Sequence, residues 1–121
     1  KRRVDINVAE TMNVIGDVTG RTCVIVDDIV DTAGTLVGAV KALRDKGAPR
    51  VLGCFTHPVL SGPALERIQN SDLEHVVVTD SIPLSDAKAQ NPKITVLSVA
   101  SLLGEAIARI HSNSSVSSLF V

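Results

Sequence analysis

With 121 residues, 45% of them hydrophobic, the chain has the length and apolar content of one domain with its own core. A formal charge of -1 supplies no global attraction for nucleic acid or an anionic membrane, and aromatics at 2% leave Phe55 and Phe120 as the only rings for base stacking. A nucleic-acid coat is therefore excluded as a function class, and no apolar run approaches the roughly 18 residues that span a bilayer.

Cys23 and Cys54 each lie inside an apolar stretch of strand character, so they read as buried free thiols of a reducing, cytoplasmic compartment. The chain opens Lys1-Arg2-Arg3 without an initiator Met, which suggests a piece of a longer polypeptide. Asn7-Val8-Ala9-Glu10 has capping-box spacing, but Met12 to Asp17 reads as a strand and makes a hairpin the expectation at this end. Val18 to Arg21 supplies a turn into Cys23 to Asp27, a continuous apolar strand of the kind buried on both faces.

From Gly34 to Lys46, Leu36, Val37, Val40 and Leu43 recur at helical spacing, and Gly47 stands where a left-handed cap belongs. Arg50 to Thr56 is the next strand, parallel to the first because a helix separates them. A loop from Thr56 to Pro63 leads into a helix beginning near Ser61 or Gly62, with Ala64, Leu65 and Ile68 on its apolar side. His75 to Thr79 and Ile94 to Leu97 are two further strands, and Val99 to Ile110 is a helix with Leu102, Leu103, Ala106 and Ile110 on one face. This alternation predicts an α/β fold, a mostly parallel sheet flanked by helices on both faces. Ligands of such sheets sit beyond the carboxyl ends of the strands, where Asp27-Asp28, Thr56-His57 and Thr79-Asp80 are expected to fall.

The chemistry concentrates in Val24 to Thr35. An apolar strand delivers Asp27 and Asp28; Asp31, Thr32, Ala33, Gly34 and Thr35 then form a small-residue turn opening a helix. Carboxylates accept hydrogen bonds from sugar hydroxyls, while the turn offers N–H groups and two hydroxyls at the positive end of a helix, so the pattern can cradle a sugar phosphate. Three carboxylates around one turn repel each other unless a ligand or cation joins them, which argues against a purely structural role. His57 reads by default as a hydrogen-bonded loop histidine, and the three histidines lack metal-ligand spacing. Thr79, Asp80 and Ser81 lie at the sheet edge where a supporting role at the site competes with a plain turn before Pro83.

The run Val26-Asp27-Asp28-Ile29-Val30-Asp31-Thr32-Ala33-Gly34-Thr35 resembles the phosphoribosyl-diphosphate signature of type I phosphoribosyltransferases. With Lys1-Arg2-Arg3, Asn7 to Glu10, Thr56 to Gly62, Val78 to Ser85 and Ser115 to Phe120, nearly the whole chain resembles the C-terminal half of the ribose-phosphate diphosphokinase family. The resemblance implies a phosphoribosyltransferase-like fold over 1–121. It implies transfer of the diphosphoryl group of ATP to ribose 5-phosphate with Mg2+, giving phosphoribosyl diphosphate and AMP.

By the same resemblance, Asp31, Thr32, Ala33, Gly34 and Thr35 cradle the 5-phosphate, and Asp27 and Asp28 engage the ribose hydroxyls or the magnesium beside them. Residues 1–6 correspond to a remnant of a flexible catalytic loop in which Lys1 stabilises the transition state and Arg3 contacts phosphate; composition alone reads them as a solvated arm. Val4-Asp5-Ile6 departs from the proline-containing text of many members. Ser115, Ser117 and Phe120, otherwise a frayed terminus, match a regulatory site for phosphate or ADP between the subunits of a homo-oligomer, usually a hexamer. An N-terminal ATP-binding domain is absent from this chain, so the fragment alone is expected to be inactive. Competing readings are a nucleobase phosphoribosyltransferase, a non-catalytic regulatory subunit of the synthetase, and a receiver-like signalling domain.

Overall fold

The computed structural model describes residues 13–120. Their order is β1 (Thr22–Val30), α1 (Gly34–Asp45), β2 (Arg50–Pro58), α2 (Ala64–Asn70), β3 (His75–Thr79), α3 (Asp86–Ala89), β4 (Ile94–Leu97) and α4 (Ala100–His111), followed by a single 3-10 turn at Ser117–Leu119. The four strands form one sheet in the order β1-β2-β3-β4, and every neighbouring pair is parallel. The fold is α/β, as the alternation of apolar strands and amphipathic helices predicts.

The core lies on one face of the sheet. Val51, Phe55, Val76 and Val78 pack there with Leu36 and Val40 of α1, Ala64 and Ile68 of α2, and Leu60 and Leu73 of the connections. Strand alternation sends Cys23 and Ile25 to this face, and both pack against the core. Val24 and Val26 point the other way and are 53% and 77% exposed. The expected stripe of α4 forms, yet Leu102, Leu103 and Ile110 are exposed.

The helix ends explain where the chain turns. Gly47, at φ +91, accepts the left-handed conformation that ends α1, and the Ala48 N–H returns to the Leu43 carbonyl at 3.1 Å. The Lys93 ammonium donates to the carbonyls of Ile68, Gln69 and Ser71 at 3.2, 3.1 and 2.9 Å, filling the acceptors left open at the end of α2.

Three local expectations are corrected. Asn13 to Asp17 form no strand, and the Asp17 carboxylate instead accepts the Thr19 N–H at 2.9 Å in a turn. β1 does not stop at Asp27, because its pairing with β2 continues through Ile29 opposite His57 and Val30 opposite Pro58. Asp27 and Asp28 therefore lie within the strand. The second helix begins at Ala64, with Pro63 as its cap residue. α3 carries no sequence signal of its own, because four residues are too few to show a helical period.

Candidate functional site

β1 leads directly into the turn Asp31–Ala33 and the first residues of α1, and a cavity of about 390 Å³ opens beside that junction. Asp27, Asp31, Thr32, Ala33, Gly34 and Thr35 line it, over an apolar floor that includes Ile25, Leu36 and Phe55. Five successive turn residues and one of the two paired acids thus come together as the sequence suggested. Asp28 does not line the cavity. Successive strand residues point to opposite faces, so placing both acids within β1 separates their side chains. The Asp27 carboxylate accepts the Asp28 N–H at 2.9 Å.

The turn owes its shape to Ala33, which sits at φ 59, ψ 13, the left-handed region that an L-residue other than glycine enters at a cost of roughly 1–2 kcal/mol. The Ala33 carbonyl then accepts the first helical bond, from the Val37 N–H at 3.0 Å. No side chain caps the N-terminus of α1, and its first turn holds no acidic residue. The leading N–H groups of the helix are accordingly open to an exogenous anion, and the helix dipole favours one there.

Two connections support the turn from the side of β2 and α2. The Leu60 and Ser61 N–H groups donate to the carbonyls of Val30 and Asp31, both at 3.1 Å, and the Ser61 hydroxyl donates to the Asp31 carboxylate. Arg67 Nη1 donates to the Thr32 carbonyl at 2.9 Å. Neither Ser61 nor Arg67 stands out in the sequence as a site residue, since each reaches its partner across 30 residues or more. The signal available was Ser61's place in the loop following the second parallel strand.

At the carboxyl end of β2, the hydroxyls of Thr79 and Ser81 donate to the Thr56 carbonyl at 2.7 and 2.8 Å, and His57 Nδ1 lies 2.9 Å from Ser81 Oγ. These groups complete the end of the sheet. Asp80 accepts the Val99 N–H at 2.8 Å, and hydrogen bonds from Ser98 and then Val99 hold its carboxyl below the ordinary carboxylate range. Its place is at the start of α4, away from the cavity lining. Among the described residues no three His, Cys, Asp or Glu side chains cluster as a metal cage.

Near the chain end, Arg109 Nη1 donates to the Ser115 carbonyl at 3.1 Å and to the Ser118 hydroxyl, while the Ser117 N–H donates to Ser115 Oγ at 3.3 Å. The Ser115–Phe120 segment is thereby folded back on α4, with Phe120 74% exposed. Lys1 and Arg3 lie outside the described residues. Among the described residues no helix is long and apolar enough to cross a membrane.

The chain is 60% identical over its full 121 residues to a ribose-phosphate pyrophosphokinase of Xylella fastidiosa, covering 38% of that protein. It is 58% identical over 120 residues, 99% of the chain, to ribose-phosphate pyrophosphokinase 1 of Listeria innocua, covering 37% of it. The crystal structure of phosphoribosylpyrophosphate synthetase from Mycobacterium smegmatis superposes with a TM-score of 0.79 at 43% identity, over 83% of this chain and 33% of that one. The chain thus spans little more than a third of the length of these relatives. The profile of the phosphoribosyl synthetase-associated domain matches residues 4–121, and the chain belongs to that family.

Proposed function

We propose that the chain is the C-terminal, ribose 5-phosphate-binding part of a ribose-phosphate diphosphokinase, which moves the diphosphoryl group of ATP to the anomeric hydroxyl of ribose 5-phosphate. The observation that carries this reading is the cavity at the β1–α1 junction, where an uncapped helix N-terminus and the turn Asp31–Thr35 face the Asp27 carboxylate. A sugar phosphate has complementary chemistry, with an anion for the N–H groups and hydroxyl donors for the carboxylates. The relatives bear the name of this activity.

In this reading the turn fixes the 5-phosphate and Asp27 orients the ribose, so that the anomeric hydroxyl is held in register for attack. Positioning and charge neutralisation are most of what phosphoryl transfer requires. Magnesium would supply charge neutralisation on the phosphates. Two carboxylates line the cavity, Asp27 and Asp31, and Asp31 is engaged by the Ser61 hydroxyl; so small a set of protein oxygens suits an ion that keeps several waters and binds through substrate oxygens, and Asp28 does not line the cavity beside them. Lys1 and Arg3 would bring positive charge to the transferring group, and the ATP site would belong to sequence beyond this chain. Ser115, Ser117 and Phe120 would serve a phosphate or ADP site between subunits of a cytoplasmic homo-oligomer.

The test uses the full-length protein supplied with ATP, Mg2+ and ribose 5-phosphate. AMP and phosphoribosyl diphosphate are expected in equal amounts, and Lys1→Ala is expected to lower kcat by about 10²–10³ with little change in KM. Consumption of phosphoribosyl diphosphate with a nucleobase, in place of its synthesis, would contradict the proposal.

A further inference from the structure

Arg67 is exposed on α2, carries no part of the sequence signature and does not line the cavity, yet its guanidinium reaches back to the centre of the turn. Nη1 donates to the Thr32 carbonyl at 2.9 Å, and a Cβ placed on Gly34 would lie 3.3 Å from the same nitrogen. The contact falls one peptide before Ala33, the strained left-handed residue on which the turn depends.

The consequence follows from peptide geometry. In a trans peptide the C=O and the following N–H are antiparallel. No described peptide bond is cis, so a Thr32 carbonyl held on Arg67 directs the Ala33 N–H away from the guanidinium, and Ala33 itself lines the cavity. Rotating this peptide by half a turn would aim a carbonyl oxygen at the cavity and repel an anion. The guanidinium opposes that rotation with a charge-assisted hydrogen bond. Gly34 leaves room for it, because a side chain there would crowd Nη1.

We infer that Arg67 is a positioning residue for the anion-binding turn, setting the Thr32–Ala33 peptide so that its N–H is presented to the phosphate of the sugar ligand. The inference rests on the ribose 5-phosphate reading of the cavity.

The experiment measures KM for ribose 5-phosphate, KM for ATP, kcat and the melting temperature in the full-length protein for Arg67→Met, Arg67→Lys and Asp31→Asn. Arg67→Met keeps the aliphatic stem and removes the donors. It is expected to raise KM for ribose 5-phosphate roughly tenfold, with KM for ATP and the melting temperature unchanged. Arg67→Lys, whose ammonium can donate to the same carbonyl, is expected to recover most of that loss.

A ribose 5-phosphate KM that stays at the wild-type value in Arg67→Met while Asp31→Asn raises it would overturn the role of Arg67 and leave the site reading standing. Equal rises in both substrates' KM, or a fall in melting temperature that accounts for the loss, would make Arg67 merely structural and overturn the inference. No effect of either Arg67→Met or Asp31→Asn would overturn the site reading together with it.

Discussion

Ser61 holds Asp31 at two points, its N–H on the Asp31 carbonyl at 3.1 Å and its hydroxyl on the Asp31 carboxylate Oδ1. One carboxylate oxygen is thus committed to the protein and the side chain is fixed, while the other oxygen stays available to a ligand hydroxyl. Ser61→Ala should raise KM for ribose 5-phosphate about two- to tenfold, the range of one hydrogen bond, with Asp31→Asn producing the larger effect. Steady-state kinetics in the full-length protein checks the ranking.

Ala33 combines a positive φ with burial at 4% exposure, so the turn demands a residue that is both small and tolerant of the left-handed region. Ala33→Gly should leave stability nearly unchanged or slightly raised. Ala33→Val should destabilise the fold by at least about 1–2 kcal/mol, because a branched Cβ aggravates the backbone strain in a packed site. Equilibrium denaturation of the two variants measures the difference.

Gly53 lies in the middle of β2, where a Cβ would come within 2.7 Å of the Phe55 ring. Phe55 is buried and forms part of the cavity floor. Gly53→Ala should therefore displace the ring, costing about 1–3 kcal/mol by overpacking, and should weaken ribose 5-phosphate binding as well. Gly38, with open space around it, is the control: Gly38→Ala should not destabilise.

Asp80 supplies the pH dependence. Its carboxyl is held below the ordinary range by hydrogen bonds from Ser98 and Val99, so the folded state binds the proton less readily than the unfolded chain. The resulting stability is fully present above the ordinary carboxylate range and is lost as pH falls through the depressed value. Wild type should melt slightly above Asp80→Asn at neutral pH, and the gap should close in acid. A gap that persists unchanged at low pH would contradict this assignment.

The limits of β3 and β4 are legible because four consecutive apolar or β-branched residues, Val76 to Thr79 and Ile94 to Leu97, stand between turn signals. The end of β1 is not legible, since acids inside a strand look like a strand end until the register with β2 is known. For the same reason the sequence groups Asp27 with Asp28, whereas strand alternation gives only Asp27 of the pair to the cavity. The strand-to-helix junction at Asp31–Thr35 is legible because its residue pattern is local, whereas the left-handed conformation of Ala33 is not. Ser61 and Arg67 are not, because their partners lie far away in sequence and carry no periodicity. The amphipathic pattern of α4 is legible, but a pattern names no partner, and Leu103, Ile107 and Ile110 are exposed.

The central claim is that the turn from Asp31 to Thr35 holds the phosphate of ribose 5-phosphate. Calorimetric titration of the full-length protein with ribose 5-phosphate and with ribose, for wild type and Thr35→Ala, tests it directly. The account predicts saturable binding of ribose 5-phosphate, no measurable binding of ribose, and roughly tenfold weaker ribose 5-phosphate binding in Thr35→Ala with ATP binding unaltered. Equal affinity of wild type and Thr35→Ala for ribose 5-phosphate, or binding of ribose as tight as that of its phosphate, would contradict it.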